Sequence, residues 1–165
     1  ADTNNDYLRA DLLVGDDTVR LFSVHLQTSG IAQLRRRFRK DYNRDAPVER
    51  ILGELEHNSS IRAGQVGEIR VEIDASPYPV ILAGDFNESN MSSEMMVKLK
   101  EKWEIISTSS NTFMNTATPK RIDYIVLYKG NKAACEVLGT AVPSYDEINV
   151  NKVSDHLPVL VDIKK

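Results

Sequence analysis

At 165 residues, 41% hydrophobic and 27% charged, the chain has the length and composition of one globular domain with a core to bury. No apolar run approaches the roughly 20 residues that span a bilayer, and a single cysteine, Cys135, excludes an internal disulfide and a thiolate zinc cluster. The net charge of -3 gives no overall pull towards polyanions, so any phosphate recognition has to come from local groups or a metal.

The chain begins with Ala, and Ala1 to Asp6 is polar and unpatterned, which suggests a processed or cut chain. Tyr7 to Val14 alternates as a strand does, with Leu8, Ala10 and Leu12 against Arg9 and Asp11. Gly15-Asp16-Asp17 supplies turn residues, and Thr18 to Leu26 resumes as the second strand of a hairpin, with His25 near its end. Arg35 to Lys40 is a basic run that could bind phosphate. The acids around it (Asp41, Asp45, Glu49) favour a solvated helix face instead. Pro47 is expected to open a helix whose apolar positions are Val48, Ile51, Leu52 and Leu55. A further helix is expected over Ile61 to Ala75, weakened by Gly64 and Gly67.

Pro79-Val80-Ile81-Leu82-Ala83-Gly84-Asp85-Phe86-Asn87 reads as a strand buried on both faces that delivers a carboxylate and a carboxamide to a sheet edge. Asp and Asn also leave sheets simply as turn formers, so this stretch by itself decides nothing. Ser92 can cap a helix to about Lys102, and a short strand is expected to follow over Trp103 to Ser107. Residues 107–120 are polar loop, Arg121 to Tyr128 is a strand, and Lys129-Gly130-Asn131 turns the chain. Cys135 to Val142 is a strand candidate whose cysteine is expected in the core. Ser154-Asp155-His156 then opens a last strand over Leu157 to Ile163.

His25 and Asp85 fall at the ends of strands, whereas Asp123, Asp155 and His156 fall at the beginnings. Parallel pairing across the helical crossover and antiparallel pairing later would bring all of them to one rim of a mixed sheet. Each has a bland explanation: His25 as a bonded structural histidine, Asp123 as the partner of Arg121 or Lys120, Asp155-His156 as a turn. Together, three carboxylates, two imidazoles and a carboxamide suit a hard divalent ion, Mg²⁺ or Mn²⁺, better than zinc. That chemistry suits phosphoester hydrolysis.

Ser23-Val24-His25-Leu26, Gly84-Asp85-Phe86-Asn87, Arg121-Ile122-Asp123-Tyr124-Ile125 and Ser154-Asp155-His156-Leu157-Pro158 resemble, in order, the motifs of the endonuclease/exonuclease/phosphatase superfamily. Arg62, Gln65 and Thr112-Phe113 fit its minor features, and the charged insert after His25 most resembles uncharacterised members from Bacteroidota. The resemblance implies a deoxyribonuclease I-like, four-layer α/β/β/α sandwich of mixed sheets with flanking helices. It implies a metal-dependent phosphodiesterase, nuclease or phosphatase using Mg²⁺ or Mn²⁺. Asp85 would activate the water and Asn87 would position it. His156, held by Asp123, and His25 would contact phosphoryl oxygens, and Asp155 would help bind the metal. The substrate would be a phosphate ester: nucleic acid, a phosphorylated small molecule or a lipid.

The family's opening strands, with an Asn and a metal-binding Glu, do not precede His25. Residues 1–165 therefore resemble the C-terminal part of a single such domain, expected to bind metal weakly and turn over little alone. Its open sheet face would be covered by the missing segment or by a second copy. The alternative is a non-catalytic fragment or binding module that keeps the fold. A calcineurin-like phosphatase and a serine hydrolase lack their motifs here.

Overall fold

The computed structural model describes residues 7–114, 119–130, 136–143 and 153–164. Strands β1 (Tyr7–Val14) and β2 (Asp17–His25) form an antiparallel hairpin closed by a two-residue loop in which Gly15 takes φ 63°. Helices α1 (Ile31–Tyr42) and α2 (Val48–Asp74) carry the chain back, so β3 (Val80–Asp85) pairs with β2 in parallel. Helix α3 (Glu94–Lys102) leads into β4 (Trp103–Ile105), and β5 (Asp123–Tyr128) runs antiparallel to both β3 and β4. The five-stranded order is β1-β2-β3-β5-β4, a mixed sheet as the strand pattern requires.

Pleat and register decide what is buried. Phe22, Val24, Val80, Leu82, Tyr124 and Val126 share one face and meet Ile69 and Ile73 of α2 and Met95, Met96 and Leu99 of α3. Each such side chain contributes roughly 1.5–3 kcal/mol by leaving water. The opposite face is not covered in the same way. Ile81 and Ala83 are only half-buried, so β3 is not buried on both faces, and Leu8 and Leu12 on β1 are exposed. The apolar stripe of β1 thus lies on the face away from the helices. Its polar side reaches α2 instead, where Tyr7 and Arg9 bond Glu72.

Several other expectations change. Residues 48–74 form one helix, not two. Gly53, Gly64 and Gly67 sit in its interior without breaking it, and Val48, Leu52 and Leu55 are exposed rather than packed. Ser93, not Ser92, caps α3, accepting the Met96 N–H at 3.4 Å. The last strand, β7 (Leu160–Lys164), starts later than expected and pairs with β6 (Glu136–Ala141) in a separate two-stranded sheet. Cys135 and the 1–6 segment lie outside the described residues. No described helix is long and apolar enough to cross a membrane.

Candidate active site

The register of three strands builds the rim. His25 is the last residue of β2, Asp85 the last of β3 and Asp123 the first of β5, and they stand opposite one another as His25↔Asp85 and Asp85↔Asp123. Side chains at paired positions point to the same side of a sheet. One parallel and one antiparallel pairing therefore gather an imidazole and two carboxylates that lie far apart in the chain. Gly84 allows the close approach: it has φ 140°, and a Cβ there would come within 2.0 Å of the Val24 carbonyl oxygen.

Beyond β3 the backbone folds over Asp85. The Asn87 N–H donates to Asp85 Oδ1 at 2.7 Å, and its carboxamide donates to Asp85 Oδ2 at 3.2 Å and to the Leu26 carbonyl at 2.9 Å. Asn87 itself sits at φ 50°, a region that Asn tolerates. Local chemistry and the β2 end thus both fix this pair.

His156 arrives differently from the expected route along a strand. It forms a bridge with Phe113, and the adjoining backbone is tied by Leu157 N–H to Thr112 carbonyl at 2.7 Å and Met114 N–H to Asp155 carbonyl at 3.1 Å. The Phe113 ring lies against the imidazole, centroids 5.0 Å apart. Thr112, fully buried, also accepts the N–H groups of Ile122 and Asp123 through its hydroxyl. One residue therefore aligns both members of the next pair: His156 Nδ1 lies 2.9 and 3.1 Å from the two Asp123 carboxylate oxygens. Arg121 is occupied elsewhere, bonding Ser107 and lying over the Tyr124 ring, which leaves Asp123 to the histidine.

A buried ion pair braces this region. Arg62 of α2 meets Glu88 at 2.7 Å with both side chains almost wholly excluded from solvent, and Arg62 also donates to the Gln27 carbonyl. Tyr124 donates to the Glu88 carbonyl, and burial pushes its phenol up to about 12. The loops after β2 and β3 are thus held to α2. Sequence reasoning noticed Arg62 but not Glu88, whose importance appears only once its partner is placed.

His25, Asp85, Asn87, Asp123 and His156 come together, with His25 Nε2 at 3.6 Å and His156 Nε2 at 3.9 Å from Asp85 Oδ2. The Asp155 side chain is exposed and lies outside this group. Among the described residues, Asp85, Asp123 and His156 could share a metal ion, their ligand atoms all lying within 4.8 Å of one another. Burial, and then the neighbouring Asp123 charge, raise the Asp85 carboxyl above its ordinary value, against the Asn87 N–H and the two histidines, which lower it. A divalent cation would relieve that crowding, so this donor set fits one.

The endonuclease/exonuclease/phosphatase family model matches residues 2–156, and the chain belongs to that family. Its fold is that of the deoxyribonuclease I-like proteins. D. rerio TDP2 complexed with a single-strand DNA product superposes with a TM-score of 0.63 at 14% identity, over 100% of this chain and 64% of that one. Beta toxin from Staphylococcus aureus gives 0.59 at 20% identity, over 96% of this chain and 57% of that one. Sphingomyelinase C from Streptomyces griseocarneus gives 0.55 at 19%, again over 96% and 57%. The chain spans about half to two thirds of the length of such structures. No curated protein sequence matches it.

Proposed function

We propose that this chain carries most of the active-site rim of a divalent-metal-dependent phosphoesterase, in which water is activated at Asp85. The observation that carries the reading is the meeting of Asp85, Asp123 and His156 within 4.8 Å at the end of a mixed sheet. Asn87, bonded to Asp85 through both its backbone and its carboxamide, positions the water. Asp123 orients the His156 ring, whose other nitrogen faces Asp85 and can donate to a phosphoryl oxygen. His25, mostly exposed at the rim, takes a second phosphoryl oxygen. Asp85 and Asp123 supply carboxylate oxygens to the ion, and Asp155 is assigned to it from the family resemblance. When bound, Mg²⁺ or Mn²⁺ supplies charge neutralisation for the phosphate and its leaving oxygen.

The same reading makes residues 1–165 the C-terminal part of the domain, with the open sheet face covered by preceding chain or a second copy. The test is hydrolysis of bis-p-nitrophenyl phosphate by the full-length protein with and without Mg²⁺ or Mn²⁺. Asp85→Ala and His156→Ala are expected to lose at least about 100-fold in turnover, and undiminished turnover in both would end the proposal. Neither turnover nor metal-induced protection of the fold would instead favour a binding module.

A further inference from the structure

A cleft of about 810 Å³ opens beside Asp85, Asn87 and His156, and its far wall is one face of α1. That wall is basic: Arg35, Arg36 and Arg39 line it at the i, i+1 and i+4 positions of a single turn. Lys120 adds a cation on the other side. The balancing acid is sparse. Asp45 lies 3.9 Å from Arg35 and 3.5 Å from Arg39, serving two guanidinium groups with one half-exposed carboxylate. Arg36 has no ion-pair partner among the described residues. Arg37 behaves otherwise: it pairs with Asp41 and does not line this cleft. Helix α1 buries none of its residues, so these arginines are not there to hold a core.

Resting on the hydrolase reading of the adjacent site, we propose that the α1 wall holds non-scissile phosphates of a single-stranded nucleic acid whose scissile phosphate lies at Asp85. A substrate with one phosphate, engaged at Asp85, would bring no anion to these three guanidinium groups, which share a single carboxylate. A strand presents further phosphates at regular spacing, and Arg35 to Arg39 covers about 6 Å of helix axis, a step comparable with one nucleotide of extended strand. Arginine is suited to such contacts because its planar donor fork matches phosphate oxygens. The Phe113 ring at the cleft offers an apolar surface beside the phosphate path.

The test is equilibrium binding of fluorescein-labelled dT12 to the full protein in EDTA, followed by anisotropy across a salt series. Chelating the metal stops turnover, so binding stays readable even if the protein hydrolyses nothing. A failure of the hydrolase reading is thereby distinguished from a failure of this one. The triple variant R35Q/R36Q/R39Q is expected to bind dT12 at least tenfold more weakly, with a log K against log salt slope shallower by about 2, as for three lost phosphate contacts on a single strand. R37Q/K40Q/R44Q, of equal net charge but off the cleft, is expected to bind like the parent. Equal loss in the two variants, or none in the first, would overturn the proposal. So would an absence of dT12 binding alongside arginine-dependent binding of inositol hexakisphosphate or phosphatidylserine vesicles.

Discussion

Asp85 is the residue on which opposing demands meet. It accepts two hydrogen bonds from Asn87, yet burial and Asp123 make its negative charge costly in the folded chain. Asp85→Asn removes that charge while keeping an oxygen to accept the Asn87 N–H. Without metal this variant is expected to melt above the parent, and adding Mg²⁺ or Mn²⁺ should raise the melting temperature of the parent only. Thermal scans with EDTA and with excess metal check both halves. The Arg62–Glu88 pair predicts the reverse sign. Arg62→Met leaves a buried carboxylate alone, and urea unfolding should show a loss of about 3–5 kcal/mol. The double variant R62M/E88L should recover much of that loss, because no uncompensated charge remains. Asp85 and Asn87 were legible in the chain because a glycine, a carboxylate and a carboxamide directly follow an apolar run. Thr112 was less so: its hydroxyl serves two N–H groups ten and eleven residues away, a role that no local pattern announces. Asp155 shows the converse, since its sequence neighbour His156 reaches the site and its own side chain remains exposed.

Among the elements, the sheet was readable and the long helix was not. Alternation located the β1–β2 hairpin and an unbroken apolar run located β3, and bringing His25, Asp85 and Asp123 to one rim called for the mixed pairing that occurs. The 48–74 helix was divided in two because its apolar positions fall in two groups, Val48 to Leu55 and Val66 to Ile73, with the polar His57-Asn58-Ser59-Ser60 between them. Asn58 is satisfied within the helix and across to the preceding loop, donating to the Glu54 and Ser29 carbonyls, so the chain continues. The glycines that weakened the helix assignment cost backbone entropy without preventing the helix. A Cβ at Gly53, Gly64 or Gly67 would meet nothing within 4 Å, and none of the three has a positive φ. Gly64→Ala and Gly67→Ala are therefore each expected to stabilise the protein by about 0.4–1 kcal/mol in urea unfolding. A loss would mean that this face of α2 touches something beyond the described residues. The exposed Val48, Leu52 and Leu55 show why periodicity alone misassigned the buried side: the stripe existed, but α1 covers little of it.

For the whole molecule, two of the contacts that tie α2 to the sheet carry part of the response to acid. Tyr7 donates to Glu72 from β1, and Tyr128 donates to Asp74 from β5. The hydrogen bond from Tyr7 is the main reason the Glu72 carboxyl titrates below its ordinary value, and that from Tyr128 does the same for Asp74. Arg20 likewise lowers Asp11. A carboxyl depressed on folding stabilises fully above its unfolded value, near 4, and that stabilisation is lost as pH falls through the depressed value. Asp85, raised on folding, runs the other way, and its protonation relieves a cost. The three depressed groups therefore pull stability down in acid, and Asp85 opposes them. The tyrosines bound the other end: both are raised, chiefly by the carboxylates they bond, so their contribution holds below about 10 and fades above it. Unfolding free energy measured with EDTA present should therefore form a plateau between about pH 5 and 9 and decline on both sides. Y7F/Y128F should lower that plateau, because both donors are lost. It should also lose less between pH 6 and pH 3 than the parent, since the largest cause of the depression at Glu72 and Asp74 is gone and only Arg9 and Arg70 with the other nearby cations still lower them. An unchanged acid limb in the double variant would place the acid sensitivity in other carboxylates.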